Sequence, residues 1–372
     1  MKFLLGNVSA ILIVFALIFK AEAQDLQTDQ YFKHKVGTTF LKGFVVPQYE
    51  HGRHLTYGRP AGAEFFYSKQ TSGKKERERI YGLPVTGFSL TVIDTDMTET
   101  GHIFNAAAYM DTYLFKSRAI SSFVRLGAGF TYATKIYDRD SNNLNNILSS
   151  RVSYHALLRL AFEVPITDRY FLMPAISWSH TSNGSFSLPN NGINIASFNV
   201  GGGYRFGIKE KTKPEDFTFI EKEKGFGVNL AFRATGKETE PLGSPKRLYY
   251  TLSASVDKTL NKISRIYLGI EAFHNRGLID VIENEPGVDT NTDHRRVGVF
   301  IGHELMVSRV SFLSMVGHYI YRPFRGGFDD DPDIYHRHGF KVYLTEKVYT
   351  TALMKVHWAQ ADVFDFGLGV RL

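Results

Sequence analysis

The amino-acid sequence predicts an all-β protein, an antiparallel transmembrane β-barrel of about 14–16 strands. Three observations support this prediction. The chain opens with an export signal, its later segments alternate apolar and polar residues with a period of two, and short turns alternate with long polar loops. The composition agrees, because 30 Phe, 20 Tyr and 33 Gly among 372 residues suit aromatic-rich strands and tight turns.

The first 23 residues have the pattern of a secretory signal peptide. Lys2 supplies a positive start, an apolar stretch follows from Leu4 to Phe19, and Ala21-Glu22-Ala23 is a small-x-small cleavage site. The apolar stretch is shorter than the roughly 20 residues that a membrane-spanning helix needs. We therefore expect residues 1–23 to be removed on export, and residues 24–372 to form a single outer-membrane β-barrel domain.

Composition narrows the possible classes further. No later stretch is long enough for a transmembrane helix, and only helices and closed barrels satisfy every backbone polar group in hydrocarbon. The absence of cysteine excludes a disulfide scaffold and a thiolate metal site. The formal net charge of +7 is spread along strands and turns, so we expect a surface that faces phosphorylated lipid and no nucleic-acid partner.

Period-two alternation predicts sixteen strands, with fourteen as the alternative. In the segment 152–166 the even positions are mostly apolar, whereas the odd ones include His155, Arg159 and Glu163. A polar inner face favours a membrane barrel, because the inner face of a soluble sandwich is apolar. The predicted segments are 36–48, 58–70, 82–95, 101–115, 120–136, 150–166, 169–182, 191–208, 225–236, 245–259, 262–276, 293–307, 309–323, 336–346, 347–358 and 361–372.

The connections follow the rhythm of outer-membrane barrels, in which short periplasmic turns alternate with longer extracellular loops. The predicted short turns are 116–118, 167–168, 260–261 and 308, and the long polar loops lie around 137–149, 183–190, 277–292 and 324–335. Two connections, 71–81 and 209–224, are long on the predicted periplasmic side and rich in Lys and Glu. These two do not fit the pattern.

One predicted hairpin places polar residues on the lipid-facing side of the wall. Successive side chains of a strand point to opposite faces, and His180 and Ser182 share their parity with Trp178. On the returning strand, Asn194 shares its parity with Phe198. Polar groups that face hydrocarbon are costly, so their convergence near the extracellular end indicates a function.

These residue types suit acyl transfer. A serine hydroxyl becomes a good nucleophile when an imidazole accepts its proton, and a third group can fix the tautomer of that imidazole. Asn183, or a backbone N–H in the Gly184-Ser185 turn, would hold the oxyanion. The alternative is interfacial decoration, because a chain with 13 His contains about one His-x-Ser pair by chance, and Ser153-Tyr154-His155 has a similar form.

The run His180-Thr181-Ser182-Asn183-Gly184, followed by Pro189-Asn190-Asn191-Gly192-Ile193-Asn194, resembles the active-site hairpin of the lipid A deacylases, the PagL-type 3-O-deacylases and related acyloxyacyl hydrolases. The family pattern is His-x-Ser-Asn, a short loop, Pro-Asn-x-Gly and an acidic residue two positions after the glycine. The spacing matches without a gap, and the resemblance is firmest over residues 85–208. It implies a carboxylic ester hydrolase in the Gram-negative outer membrane, with lipid A of lipopolysaccharide as its partner and no cofactor.

The resemblance also implies roles for five residues. Ser182 would be the nucleophile, His180 the base and Asn194 the residue that orients the base, while Asn183 and the turn at Ser185 would form the oxyanion hole. Two of these positions depart from the family pattern, because Asn194 replaces an acid and Ser185 replaces a glycine.

Other functions remain open at this point. A non-catalytic channel or structural barrel is the second hypothesis, since the strands beyond 208 exceed the smaller deacylases and the predicted inward residues are charged, namely Arg125, Arg159, Glu163, Arg233 and Glu271. A soluble secreted β-protein is the third. Two weaker candidates are metal sites. The acidic loop Asp329-Asp330-Asp331 with Asp333 could bind a divalent cation, although such loops are more often simply solvated. His336 and His338 could form a metal pair, but no third ligand lies at suitable spacing. The glycines at 201–203 predict close strand packing or strand curvature.

Overall fold

The computed structural model describes residues 31–47, 50–73, 78–79, 81, 83–209, 225–239, 242–307, 309–325, 333–358 and 360–372. The predicted signal peptide and the acidic residues 329–331 lie outside these ranges. The regular structure of the described part is almost wholly antiparallel β-sheet, as the sequence predicts. None of its helices has the length and apolar character needed to cross a membrane.

The first compact unit is a closed barrel. Its strands are β1 (Tyr31–Val46), β2 (Ala61–Gln70), β3 (Val85–Asp94), β4 (His102–Lys116), β5 (Ser121–Ala133), β6 (Val152–Pro165), β7 (Tyr170–Leu172), β8 (Ala175–Ser182) and β9 (Ile193–Lys209). β7 and β8 lie end to end between β6 and β9, so they occupy one strand position. Pro174, which has no N–H to give to a ladder, lies in the break between them. β1 pairs with both β2 and β9, which closes the barrel.

The second compact unit is also a closed barrel. Its strands are β10 (Phe226–Lys237), β11 (Arg247–Asn261), β12 (Ser264–Asn275), β13 (Arg296–Val307), β14 (Val310–Tyr321), β15 (Ile334–Tyr343), β16 (Val348–His357) and β17 (Gln360–Arg371). Each strand pairs with the next along the chain, and β10 pairs with β17. A short helix α1 (Gly277–Asn284) lies in the connection between β12 and β13.

All sixteen predicted segments coincide with strand positions, but the expectation of one barrel over 24–372 is corrected. The chain divides into two compact units, and the pairings β1–β9 and β10–β17 close two sheets of eight positions each. The chain passes from the first barrel to the second between β9 and β10. The connection 209–224 therefore breaks the turn rhythm because it joins two barrels.

Buried ion pairs fill the interior of the first barrel. Arg159 donates to both carboxylate oxygens of Glu64 at 2.7 and 2.8 Å, and Arg125 donates to both oxygens of Asp111 at 2.7 and 2.9 Å. Barrels of this strand number are just wide enough for side chains to fill them. The inward charges are thus part of a packed interior.

The second barrel is filled in the same way. Arg337 lies between Asp365 and Glu271, and Arg233 also bonds to Glu271. The five charged residues that suggested a channel are therefore buried, and each is paired with a residue of opposite charge. These charged residues therefore no longer support the channel hypothesis.

The three glycines at 201–203 lie inside β9, where neighbouring chain approaches closely. A Cβ atom at Gly203 would lie 2.3 Å from the carbonyl oxygen of Val36 and 2.7 Å from Cζ of Phe171. Only glycine leaves room for the β1 backbone and the ring of Phe171 here. The close packing predicted from the sequence is confirmed.

Candidate active site

The β8–β9 hairpin brings His180 and Asn194 together. The two residues are direct cross-strand partners, and His180 Nδ1 lies 2.7 Å from Asn194 Oδ1. Because an amide oxygen only accepts hydrogen bonds, Nδ1 carries the proton and Nε2 keeps a lone pair. The pairing therefore selects the tautomer that a general base requires.

His180 and Asn194 lie on the outward face of their strands. Ile176 shares the face of His180 and is 49% exposed, and Phe198 shares the face of Asn194 and is 69% exposed. Thr181, on the opposite face, is buried and lies 3.0 Å from Thr131 inside the barrel. The strand parity inferred from the sequence thus agrees with the observed burial.

Ser182 ends β8 and is held by the returning loop. Its hydroxyl accepts a hydrogen bond from Asn190 Nδ2 at 2.8 Å, and the side chain is 4% exposed. The other end of the same amide, Asn190 Oδ1, accepts from the backbone N–H of Asn183 at 3.0 Å. One asparagine therefore spans the loop and fixes Ser182 and Asn183 relative to each other.

Gly192 marks a small space that both His180 and Ser182 border. Its φ is +69°, and a Cβ atom there would lie 3.0 Å from His180 Cε1 and 3.3 Å from Ser182 Cβ. A left-handed backbone favours glycine, and any side chain would crowd the imidazole. The Pro-Asn-x-Gly part of the sequence run thus serves the site directly.

The connection between β5 and β6 supports the returning loop. Its backbone carbonyls at Asn146 and Ile147 accept from Asn191 N at 3.2 Å and from Gly192 N at 3.1 Å. Ile147 and Leu148 are buried in an apolar cluster with Ile193. This packing holds the connection in place, so the loop rests on a fixed support.

The two residues predicted for the oxyanion hole have other partners. Asn183 Nδ2 donates to Ser149 Oγ at 3.0 Å and to Ser150 Oγ at 2.9 Å. Ser185 belongs to the second compact unit and donates to the carbonyl oxygen of Ala361 at 2.6 Å. The amide next to Ser182 is that of Asn190, which sequence reasoning did not single out. Its position in Pro-Asn-x-Gly, eight residues after the serine, was the available signal.

Two family models match the chain. The model of lipid A 3-O-deacylase (PagL) matches residues 61–202, which include the whole β8–β9 site, and the model of the acyloxyacyl hydrolase C-terminal domain matches residues 226–372. Together they cover most of the chain. This protein belongs to the lipid A 3-O-deacylase family. Its two matched ranges correspond to its two barrels, and membership of the family supports a hydrolase that acts on lipid A in the outer membrane.

Several solved structures are similar to this deacylase-family chain. Neisserial surface protein A (NspA) is 8% identical with a TM-score of 0.34, and covers 46% of this chain and 97% of its own. The attachment invasion locus protein Ail of Yersinia pestis is 12% identical with a TM-score of 0.28, and covers 47% and 99%. A mutant Rh. blastica porin is 11% identical with a TM-score of 0.20, and covers 91% and 100%. No curated protein matches the chain.

Proposed function

We propose that this protein removes an ester-linked acyl chain from lipid A, using Ser182 and His180 on the lipid-facing wall of the first barrel. The hydrogen bond between His180 Nδ1 and Asn194 Oδ1 is the observation that supports this best. It leaves Nε2 as the basic nitrogen on a side chain of the outward face, two residues from a serine.

The chemistry follows a serine hydrolase cycle. His180 Nε2 takes the proton of Ser182 as Oγ bonds to the ester carbonyl carbon, and the tetrahedral intermediate collapses with release of the sugar alkoxide. The imidazolium gives its proton to that alkoxide, which leaves an acyl-serine. A water molecule then repeats the sequence, releases the fatty acid and restores the serine hydroxyl.

Asn194 orients the base but adds no charge. In a triad an aspartate also stabilises the imidazolium that forms during attack, and this electrostatic help is absent with an amide. The proposed enzyme therefore depends on geometry more than on charge at this position. Catalysis by a neutral third member has a precedent in the Cys-His-Asn arrangement.

Asn190 is the proposed oxyanion donor. Its Nδ2 lies 2.8 Å from Ser182 Oγ. The oxyanion develops on the carbonyl oxygen of the carbon that bonds to Oγ, so this amide is close to the position of that oxygen. Asn183 then has a supporting role, because its side-chain amide is anchored on Ser149 and Ser150.

Mass analysis of lipid A from Gram-negative cells that express the full chain tests this function. We expect the wild-type protein to shorten lipid A by one acyl chain, and Ser182→Ala to lower the rate by at least about 10³-fold. Ser179→Ala is the matched control, because Ser179 lies on the same strand but on the opposite face. Unchanged lipid A with the wild-type chain, or full activity of Ser182→Ala, would contradict the proposal.

A further inference from the structure

The outer wall of the second barrel contains a groove that the proposed reaction does not use. Its floor is Ala272 on β12, which lies between its direct cross-strand partners, Leu252 on β11 and Val297 on β13. Because an alanine between two larger side chains leaves space, a recess of about 330 Å³ forms at this point of the wall. We call this recess the Ala272 groove.

The Ala272 groove faces outward and is lined mainly by apolar and aromatic side chains. Leu252 and Phe232 are 59% and 51% exposed, and Tyr250 and Tyr321 add two aromatic rings. Such a surface suits hydrocarbon, because most of its area offers no hydrogen-bonding group. None of the described residues that line the groove is a serine, so an occupant would not meet the nucleophile of the proposed reaction.

Two arginines lie at the end of the groove that is next to the connection between β12 and β13. Arg276 directly follows β12, and Arg295 directly precedes β13. The ring centroids of His274 and His294 are 4.8 Å apart, so the two ends of the connection lie side by side. His274 and Arg295 both line the groove. The two guanidinium groups therefore belong to adjacent segments at the same edge of the wall.

Both guanidinium groups have hydrogen-bond donors available. Arg276 is exposed, and its side chain has no hydrogen-bond partner among the residues that the structure describes. The side chain of Arg295 is 65% exposed, and it donates through Nε alone, to the carboxylate of Asp293 at 3.0 Å. Asp293 also accepts from the Tyr321 hydroxyl at 2.9 Å, so this acidic residue is already bound on both sides. The terminal nitrogens of both arginines remain for an anion.

We propose that the Ala272 groove binds intact lipid A, with an acyl chain over Ala272 and a phosphate group on Arg276 and Arg295. Guanidinium groups bind phosphate through paired N–H donors, which makes arginine well suited to this ligand. The connection between β12 and β13 is one of the long polar connections that we expect to be extracellular. The arginines would then lie at the depth of the outer-leaflet headgroups, and the apolar groove would lie at the depth of the acyl chains.

Charge complementarity favours lipid A over a phospholipid with an ethanolamine headgroup. Unmodified lipid A carries phosphate groups and acyl chains but no ammonium group, whereas two arginines would repel the ammonium group of ethanolamine. Membership of the deacylase family also supports lipid A as a partner of this chain. Binding in the groove does not require His180 or Ser182, so it can be measured separately from deacylation.

Native mass spectrometry of the full chain in mild detergent, titrated with lipid A, tests the arginines. We expect the wild-type protein to retain one more lipid A molecule than Arg276→Gln/Arg295→Gln, whose affinity at the groove should fall at least about tenfold. Deacylated lipid A keeps its phosphates, so it is counted together with the intact form. Arg325→Gln is the matched control, because Arg325 is an exposed arginine in the connection between β14 and β15 and does not line the groove. Equal retention by the wild-type protein and the double variant, or an equal loss in Arg325→Gln, would overturn the proposal.

Filling the floor of the groove gives an independent measurement that leaves the charges in place. We expect Ala272→Trp to lose the same lipid A molecule, because the indole would occupy the recess. Ala352→Trp is the matched control, since Ala352 on β16 faces outward between Phe340 and Phe366, four strand positions from β12. An apolar side chain suits a lipid-facing wall, so both variants should fold and should deacylate lipid A at the wild-type rate. Full retention by Ala272→Trp, or retention of phosphatidylethanolamine in place of lipid A, would overturn the proposal.

Discussion

The two barrels share an interior and differ on their outer walls. Inside the first, Arg159 and Glu64 form a buried pair, and inside the second, Arg337 and Asp365 do the same. Outside, the first barrel has polar residues at the end of β8 and the start of β9, whereas the second has them near the middle of β13 to β15. The comparison indicates that the two interiors are alike and that a difference in function between the barrels depends on their outward-facing residues.

The last hairpins of the two barrels show why only one holds the proposed hydrolase site. The β8–β9 connection spans residues 183–192, long enough for Asn190 to return to Ser182. β16 ends at His357 and β17 begins at Gln360, so the second barrel has only two residues at the same place. A turn this short has no room for an amide that reaches back to a nucleophile.

Removing an interior charge tests the structural half of this comparison and has the largest expected effect. Arg159→Leu leaves Glu64 buried without its bidentate partner, which should lower the free energy of unfolding by about 3–5 kcal/mol. Arg337→Leu is the matched change in the second barrel. Urea unfolding in lipid vesicles, followed by hydrogen exchange in each barrel, would measure both effects.

We expect each variant to destabilise its own barrel and the folded Arg159→Leu protein to deacylate lipid A normally. If folded Arg159→Leu protein lost the reaction, the interior would contribute to chemistry and the comparison would fail.

Removing the amide beside the nucleophile tests the functional half. Asn190→Ala deletes the proposed oxyanion donor, which should lower kcat by about 10²–10³-fold, or about 2.7–4 kcal/mol of activation free energy. Asn191→Ala is the neighbouring control, because Asn191 is held through its backbone N–H, which the substitution keeps. Initial rates of fatty acid release would be measured for both variants. A loss in Asn190→Ala alone supports the oxyanion role, whereas equal losses in both variants would indicate that the loop is disrupted.

Placing an acid at position 194 tests how much the neutral amide limits the reaction. Asn194→Asp supplies the negative charge that stabilises an imidazolium, and replacing such an acid by an amide costs about 10⁴-fold in a serine protease triad. Asn194 is largely buried, so part of this gain is offset by the cost of burying the charge. We expect kcat to rise by about 10–100-fold, whereas Asn194→Leu should lower it. A fall in kcat with Asn194→Asp would show that the neutral amide is required.

The sequence predicts the strands well because the alternation of apolar and polar residues along each strand reflects its outward and inward faces. Alternation along 152–166 reports which side chains face lipid, and the structure confirms β6 there. Alternation does not report which distant strands pair. Closure depends on contacts such as Val36 with Tyr204, far apart in sequence, so one barrel of sixteen strands and two of eight look alike in the pattern.

The site shows the same division between local and distant information. Strand parity places His180 and Asn194 on one face, and the structure finds them paired across the hairpin. The partners of Asn183 and Ser185 come from other connections, at Ser149, Ser150 and Ala361, which no local pattern reports. The importance of Asn190 likewise depends on how the loop folds back.

The closure of each sheet on itself has a consequence for biogenesis. β1 must remain with one open edge until β9 arrives, because those two strands complete the first cylinder. Eight crossings return the polypeptide to the side from which it entered, so insertion of the first cylinder can finish before β10 is delivered. The two barrels can thus be assembled one after the other, and each is complete when its first and last strands pair. A pause between the two steps would leave the edge strands of only one barrel unpaired.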